Sequence, residues 1–112
     1  MNEKNLFSTD SDCPVQIELY ASIDIRKRLV VEYKCDYDNS PQRDFERRAI
    51  VDREDTELMA GHYRVSVEQL PTAIYERCGY GVGSSATEAD AVFKSALDMI
   101  LDAGGHYRLE EF

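Results

Sequence analysis

The sequence has few residues that form covalent cross-links, and it has no long apolar run. Its three cysteines, Cys13, Cys35 and Cys78, are widely spaced and include no Cys-x-x-Cys pair. This number and spacing fit three reduced thiols better than a disulfide framework or a zinc site, and we expect Cys35 and Cys78 in the core. No stretch is apolar for long enough to form a signal peptide or a membrane-spanning helix. We therefore expect a cytoplasmic protein that does not bind a membrane.

Positive charge is also scarce. The chain has 13 Lys and Arg against 22 Asp and Glu, which gives a formal net charge of −9. Such a field repels nucleic acid and anionic membranes and attracts basic partners, so we expect no direct nucleic-acid binding. The apolar share of 43%, with seven Tyr and four Phe, is too high for a disordered acidic chain. A chain of 112 residues holds one core, so we predict a disordered leader over residues 1–12 and one domain over 13–112.

Alternating apolar residues predict the strands. Residues 15–25 and 29–37 alternate with period two and flank a basic turn, which predicts a hairpin. Residues 45–51 alternate more weakly and predict a third strand at an edge of the sheet. Residues 63–67 predict a fourth strand after an acidic segment, 52–61, that is read as a loop or one helical turn. Residues 106–112 predict a last edge strand or a frayed end.

Two capping boxes predict the helices. The first, Ser66 with Gln69, opens a short helix that ends near Gly79. The second, Ser85 with Glu88, opens a longer C-terminal helix with one apolar stripe. The predicted fold is α+β, an antiparallel sheet of four to five strands with the short helix and the longer C-terminal helix packed on one face.

Several motifs are typical of sites but have simpler structural explanations. Gly81-x-Gly83-x-x-Ala86 matches a permissive dinucleotide fingerprint, yet it follows a predicted helix instead of a first βαβ unit, so a turn with positive φ explains its glycines better. His62 and His106 sit in identical Gly-His-Tyr-Arg tetrapeptides, for which two exposed strand histidines are a better explanation than a metal site. We find no signature of a nucleophile with its base, and we predict a non-enzymatic protein with no metal and no cofactor.

The basic groups 26–28 and 47–48 stand near acids, and we expect them to pair within the molecule instead of forming a partner-facing patch. The acidic residues next to tyrosines are the better candidates for partner contacts, because carboxylates steer and pair with Lys and Arg while Tyr supplies contact area. The candidate partner-binding residues are Asp36, Tyr37, Asp38, Glu54, Asp55 and Glu57.

We therefore expect a small acidic protein of the inhibitor, immunity or nucleic-acid-mimic type. Its partner would be a basic protein surface, such as that of a nuclease or a DNA-binding protein. Two alternatives are open: a homo-oligomeric accessory subunit, for example a homodimer paired through a sheet edge, and a small-ligand-binding domain that uses the loop from Gly79 to Gly83.

Overall fold

The structure, a computed structural model, describes residues 3–10, 12–13, 15–37 and 45–111, without the side chain of Tyr37. Six strands, three α-helices and one 3-10 turn make up this part of the chain. In chain order they are β1 (Glu3–Thr9), β2 (Val15–Ile23), β3 (Leu29–Tyr37), β4 (Phe45–Val51), α1 (Arg53–Tyr63), the 3-10 turn (Val67–Gln69), α2 (Leu70–Cys78), β5 (Gly81–Gly83), α3 (Ala86–Asp102) and β6 (Arg108–Glu111).

The strands form one sheet in the order β5-β1-β2-β3-β4-β6. Every neighbouring pair is antiparallel except β1 and β5, which run parallel. The predicted α+β architecture is confirmed, with at least one strand more than expected. The longer C-terminal helix, α3, and the short helix α2 both pack against the first strands of the sheet.

The predicted hairpin is β2 with β3, paired in register from Val15 with Tyr37 to Ile23 with Leu29. The turn begins two residues earlier than the alternation predicts. The carboxylate of Asp24 accepts hydrogen bonds from the backbone N–H groups of Arg26 and Arg28, 2.9 Å each, and so replaces the strand ladder at that point.

The leader prediction is wrong for residues 3–9, which form β1 between β2 and β5. A bulge between Asn5 and Phe7 interrupts the pairing of β1 with β2. As a result two consecutive side chains, Leu6 and Phe7, are both fully buried, which a regular alternating strand does not allow. The missing alternation made this segment look unstructured.

The acidic segment after β4, predicted as a loop or one helical turn, is a helix of 11 residues, α1. The prediction of a strand over residues 63–67 is wrong: α1 ends at Tyr63, and Arg64 then adopts a left-handed conformation with φ 58°. Val65 and Val67 follow in the connection to α2, and both pack against the core from outside the sheet. Their alternation therefore reflects packing without strand pairing.

The position of β4 was also predicted wrongly. β4 lies inside the sheet because β6 pairs with its outer side, from Arg47 with Glu111 to Ile50 with Arg108. The expected final edge strand is confirmed as β6. The predicted capping box of Ser66 with Gln69 is present. At the start of α3 half of the predicted box is present: the Ser85 hydroxyl accepts the backbone N–H of Glu88, but the Glu88 carboxylate accepts the backbone N–H of Ser84 instead of that of Ser85.

The core lies between the sheet and the helices. Alternate residues of β2 and β3 face α2 and α3, and α3 contributes one apolar stripe from Ala89 to Ile100. The buried strand residues on this side are Ile17, Leu19, Ala21, Ile23, Leu29, Val31, Tyr33 and Cys35. The intervening residues of the two strands lie on the opposite face, which carries mostly polar and charged side chains.

Candidate partner-binding surface

The candidate residues on β3 lie at the end of that strand. Asp36 is exposed and pairs across the ladder with Gln16 of β2. Tyr37 is the last residue of β3 and pairs with Val15 through its backbone. Asp38 lies outside the described residues.

The candidate residues Glu54, Asp55 and Glu57 lie on α1 and are partly used by the fold. Glu57 pairs with Arg53 at 3.2 Å between Nε and Oε1. The carboxylate of Asp55 accepts a hydrogen bond from the backbone N–H of His106, 3.1 Å, and so ties α1 to the start of β6. Of the three, Glu54 alone is an exposed carboxylate in the first turn, where it complements the helix dipole.

The two groups of candidates do not form one site. Thr56 of α1 accepts a hydrogen bond from the backbone N–H of Leu29, the first residue of β3. Asp36 is seven residues further along the same strand, roughly 24 Å away at the usual rise per residue. The structure therefore separates the α1 carboxylates from Asp36 by the length of the sheet.

Three other carboxylates lie at the same end of the sheet as Asp36. Asp10 and Asp12 lie in the turn between β1 and β2, and Glu88 lies in the first turn of α3. Asp10, Asp12, Asp36 and Glu88 are called the acidic end below. Sequence patterns missed Asp10, Asp12 and Glu88 because no local motif marks them, although residues 5–25 and 78–93 contain no Lys or Arg.

Hydrogen bonds fix the loops of the acidic end to one another. The backbone N–H of Asp10 donates to the carbonyl of Gly83 at 2.8 Å, which ties the β1–β2 turn to the turn before α3. The side chain of Gln16 donates to the carbonyls of Asp10 and Cys13 at 3.2 and 2.8 Å. Because Gln16 is the ladder partner of Asp36, this amide connects the turn to the end of β3.

The carboxylates of the acidic end face little positive charge. The described segments that build it, 9–10, 12–13, 15–17, 35–37 and 81–90, contain no Lys or Arg. Lys34 lies two residues before Asp36, but its ammonium group is directed to Glu32, 3.8 Å away, and to the ring of Tyr20. Among the described residues, the acidic end is therefore a region where negative charge predominates.

The expectation that the two basic groups pair within the molecule is confirmed for four of their five side chains. Arg26 has no ion pair among the described residues. The pairs, with their N to O distances, are Lys27 with Glu68 (2.8 Å), Arg28 with Asp24 (2.8 Å), Arg47 with Glu111 (3.3 Å) and Arg48 with Glu46 (3.4 Å). Most of these side chains are partly exposed, so each pair contributes about 0–1 kcal/mol to stability.

Backbone conformation and close packing explain two glycines of the loop from Gly79 to Gly83. Gly81 has φ +85°, a conformation that other residues adopt only at a cost. A Cβ on Gly83 would lie 2.5 Å from the ring of Phe7 and would also collide with the carboxylate of Glu88. That carboxylate accepts a hydrogen bond from the backbone N–H of Ser84, 3.2 Å, at the N-terminus of α3. A phosphate at this helix end would meet a carboxylate, which argues against the dinucleotide interpretation.

The two histidines lie in different kinds of structure. His62 is near the C-terminal end of α1, so the expectation that it lies on a strand is wrong, and His106 precedes β6. Both are exposed, and the nitrogen Nδ1 of His106 lies 3.5 Å from Asp55. Within the described ranges, no group of three or more His, Cys, Asp or Glu side chains is arranged to hold a metal ion.

The cysteines are free thiols, as expected. Cys35 is buried in the core, and Cys78 is half-buried with its sulfur 3.2 Å from that of Met99. Burial raises the pKa of Cys78, which keeps the thiol protonated and unreactive at neutral pH. Cys13 lies beside the acidic end, 3.5 Å from the carbonyl of Ser84.

No protein-family model, curated protein or solved structure matches this chain. Of the helices in the described residues, none is both long and apolar enough to cross a membrane.

Proposed function

We propose that the chain is a non-enzymatic binding protein whose acidic end docks on a basic protein surface. The surface of a nuclease or a DNA-binding protein is the expected kind of partner, and the chain would then act as an inhibitor, an immunity protein or a nucleic-acid mimic. The observation that carries the proposal is the set of four carboxylates at one end of the sheet that have no ion pair with a described Lys or Arg and lie on or beside hydrogen-bonded loops.

Uncompensated carboxylates suit this task better than paired ones. A carboxylate that already pairs with a neighbouring cation must give up that pair before it can bind a partner, as Glu57 would with Arg53. Asp10, Asp12 and Asp36 have no ion pair among the described residues. A field of one sign over such a surface raises the association rate with an oppositely charged protein by about 10- to 1000-fold at low salt.

Hydrogen bonds also restrain the loop that carries Asp10 and Asp12. The Asp10 carboxylate accepts a hydrogen bond from the backbone N–H of Asp12 at 3.2 Å. The backbone of Asp10 is in turn hydrogen-bonded to the side chain of Gln16 and to the carbonyl of Gly83. A rigid arrangement loses little conformational freedom on binding, so more of the interaction energy remains as affinity.

The test compares two variants that remove the same charge from different surfaces. D10N/D12N/D36N neutralises the acidic end and retains Glu88, whose carboxylate supports the start of α3. E54Q/E57Q/D102N removes three charges from α1 and α3 instead. Each variant and the wild type are immobilised, exposed to an extract of the native host, and washed with salt from about 50 to 300 mM, a range over which screening increases strongly.

The wild type and E54Q/E57Q/D102N should retain the same basic protein, and D10N/D12N/D36N should lose it. Neutralising each carboxylate should cost about 0.5–1 kcal/mol of binding free energy. For the purified partner, the three substitutions of D10N/D12N/D36N together should therefore weaken the affinity roughly 10- to 100-fold. Retention that is indifferent to salt would contradict the proposal. So would equal loss in both variants.

A further inference from the structure

We propose that the free edge of β5 is where an extended basic segment of the partner adds to the sheet as a further strand. This inference rests on the proposed function and specifies its contact. It differs from charge attraction alone, because it requires backbone hydrogen bonds along β5 as well as the acidic end.

β5 is a firmly attached strand with one open side. Its flanking backbone bonds run from the N–H of Tyr80 to the carbonyl of Leu6, 2.9 Å, and from the N–H of Asp10 to the carbonyl of Gly83, 2.8 Å. Both join it to β1 and the turn that follows, and no strand of the described residues lies on its other side. The open side therefore offers backbone groups to an added strand.

β5 is only three residues long, and it lacks the charged side chains that the strand at the opposite edge of the sheet has. β6 consists of Arg108, Leu109, Glu110 and Glu111, so three of its four residues are charged. Charged side chains are a common protection against pairing with another chain. β5 has no charged residue, and the exposed side chains here are Val82, 68% exposed, and Tyr80, 56% exposed just before the strand.

The chemistry beside β5 indicates what kind of segment would fit. Asp10 and Glu88 line a depression of about 240 Å³ together with Tyr80, Val82 and Ser84. An extended segment places alternate side chains on opposite faces, about 7 Å apart on each face. Lys or Arg side chains of such a segment would reach the carboxylates, and its apolar side chains would cover Val82 and Tyr80.

A second copy of this chain is a poorer occupant of the same edge. Two β5 strands related by a twofold axis would bring the acidic end of one copy against that of the other. Like charges placed opposite each other destabilise strand pairing, whereas a basic segment is complementary to the same surface.

The test uses synthetic peptides of about six residues, the usual length of a strand, on the intact protein labelled with ¹⁵N. The probe alternates Lys and Val. One control is the same peptide N-methylated at every residue, which keeps its charge but has no backbone N–H to donate. A second control replaces Lys by Glu.

The Lys-Val peptide should shift the backbone amide signals of residues 80–84 in NMR titrations. The N-methylated peptide should bind at least about tenfold more weakly, because lost backbone hydrogen bonds reduce affinity by that order. The Glu-Val peptide should not bind. Val82→Thr, at an exposed position, should weaken binding, while Leu109→Thr on the opposite edge should not.

Each other outcome would overturn the inference. If both Lys-Val peptides bind equally, or if the shifts lie elsewhere, charge alone accounts for binding, and the proposed function stands without the added strand. The same holds if no peptide binds while the purified partner does. Binding along β5 that is unchanged in D10N/D12N/D36N would contradict the proposed function and, with it, this inference, which requires the acidic end. A dimer in light scattering that Val82→Lys dissociates would assign the edge to a second copy.

Discussion

The buried hydroxyl of Thr56 should be one of the most sensitive single atoms in the fold. Among the large, fully buried side chains of the described residues, that of Thr56 is the only polar one. The hydroxyl oxygen of Thr56 accepts a hydrogen bond from the backbone N–H of Leu29 at 3.0 Å. The hydroxyl group donates to the backbone carbonyls of Val51 and Asp52, at 3.0 and 2.9 Å. One hydroxyl thus joins α1 to the adjacent ends of β3 and β4.

Thr56→Val keeps the shape of the side chain and removes these bonds. The N–H of Leu29 is then buried without a partner, which costs about 1–3 kcal/mol. The additional buried methyl group returns about 0.8 kcal/mol at most, and the loss of the bond to Val51 removes part of that gain. We expect the free energy of unfolding to fall by about 2 kcal/mol in this variant.

Thr56→Ser is the matched control, because it keeps the hydroxyl and removes only a methyl group, at a cost of about 1 kcal/mol. Urea denaturation gives both free energies of unfolding, and hydrogen exchange reports on the Leu29 amide directly. Exchange at Leu29 should accelerate in Thr56→Val beyond the global loss of stability and should not do so in Thr56→Ser. A Thr56→Val protein as stable as Thr56→Ser, with the Leu29 amide still protected, would refute the reasoning.

Two further predictions concern helix capping and pH. Ser85→Ala removes the oxygen that accepts the backbone N–H of Glu88 at 3.2 Å and should lower the free energy of unfolding by about 1 kcal/mol in urea, whereas Ser84→Ala should change it little. Burial raises the pKa of Asp24, but hydrogen bonds from the backbone and side chain of Arg28 outweigh it and hold the pKa below its ordinary value. The stabilisation by Asp24 is therefore present above its unfolded-state pKa and is lost as pH falls through the folded pKa. Asp24→Asn should destabilise the protein at neutral pH, and its difference from the wild type should shrink in acid; a difference that stays constant with pH would contradict this assignment.

The elements that sequence patterns predicted well are those whose signals are local. The β2–β3 hairpin alternates over nine paired residues, and α3 has its N-cap serine and apolar stripe within one continuous segment. Each of these signals depends on neighbours a few residues apart, so the folded context did not have to be known.

The errors occurred where tertiary contacts override local pattern. α1 contains Gly61 and has only a weak apolar stripe, so its stability comes from packing and from Thr56. β1 lost its alternation at the bulge, and β4 became an inner strand only because β6, nearly 60 residues later, pairs with it. Strand order depends on such distant pairings, which periodicity does not report.

The sequence by itself determined that the chain is acidic, has one core and combines a sheet with helices, because composition and periodicity are properties of the chain alone. Only the tertiary structure decided which acids lie together. In the fold, Glu54, Asp55 and Glu57 lie far from Asp36. Most side chains of the basic groups 26–28 and 47–48 form ion pairs, for example Arg47 with Glu111. Asp10, Asp12 and Glu88 lie at the end of the sheet where β3 ends. The physical reason is that the potential of a binding surface is a sum over charges in space, and the sheet joins segments that are about 74 residues apart in the sequence.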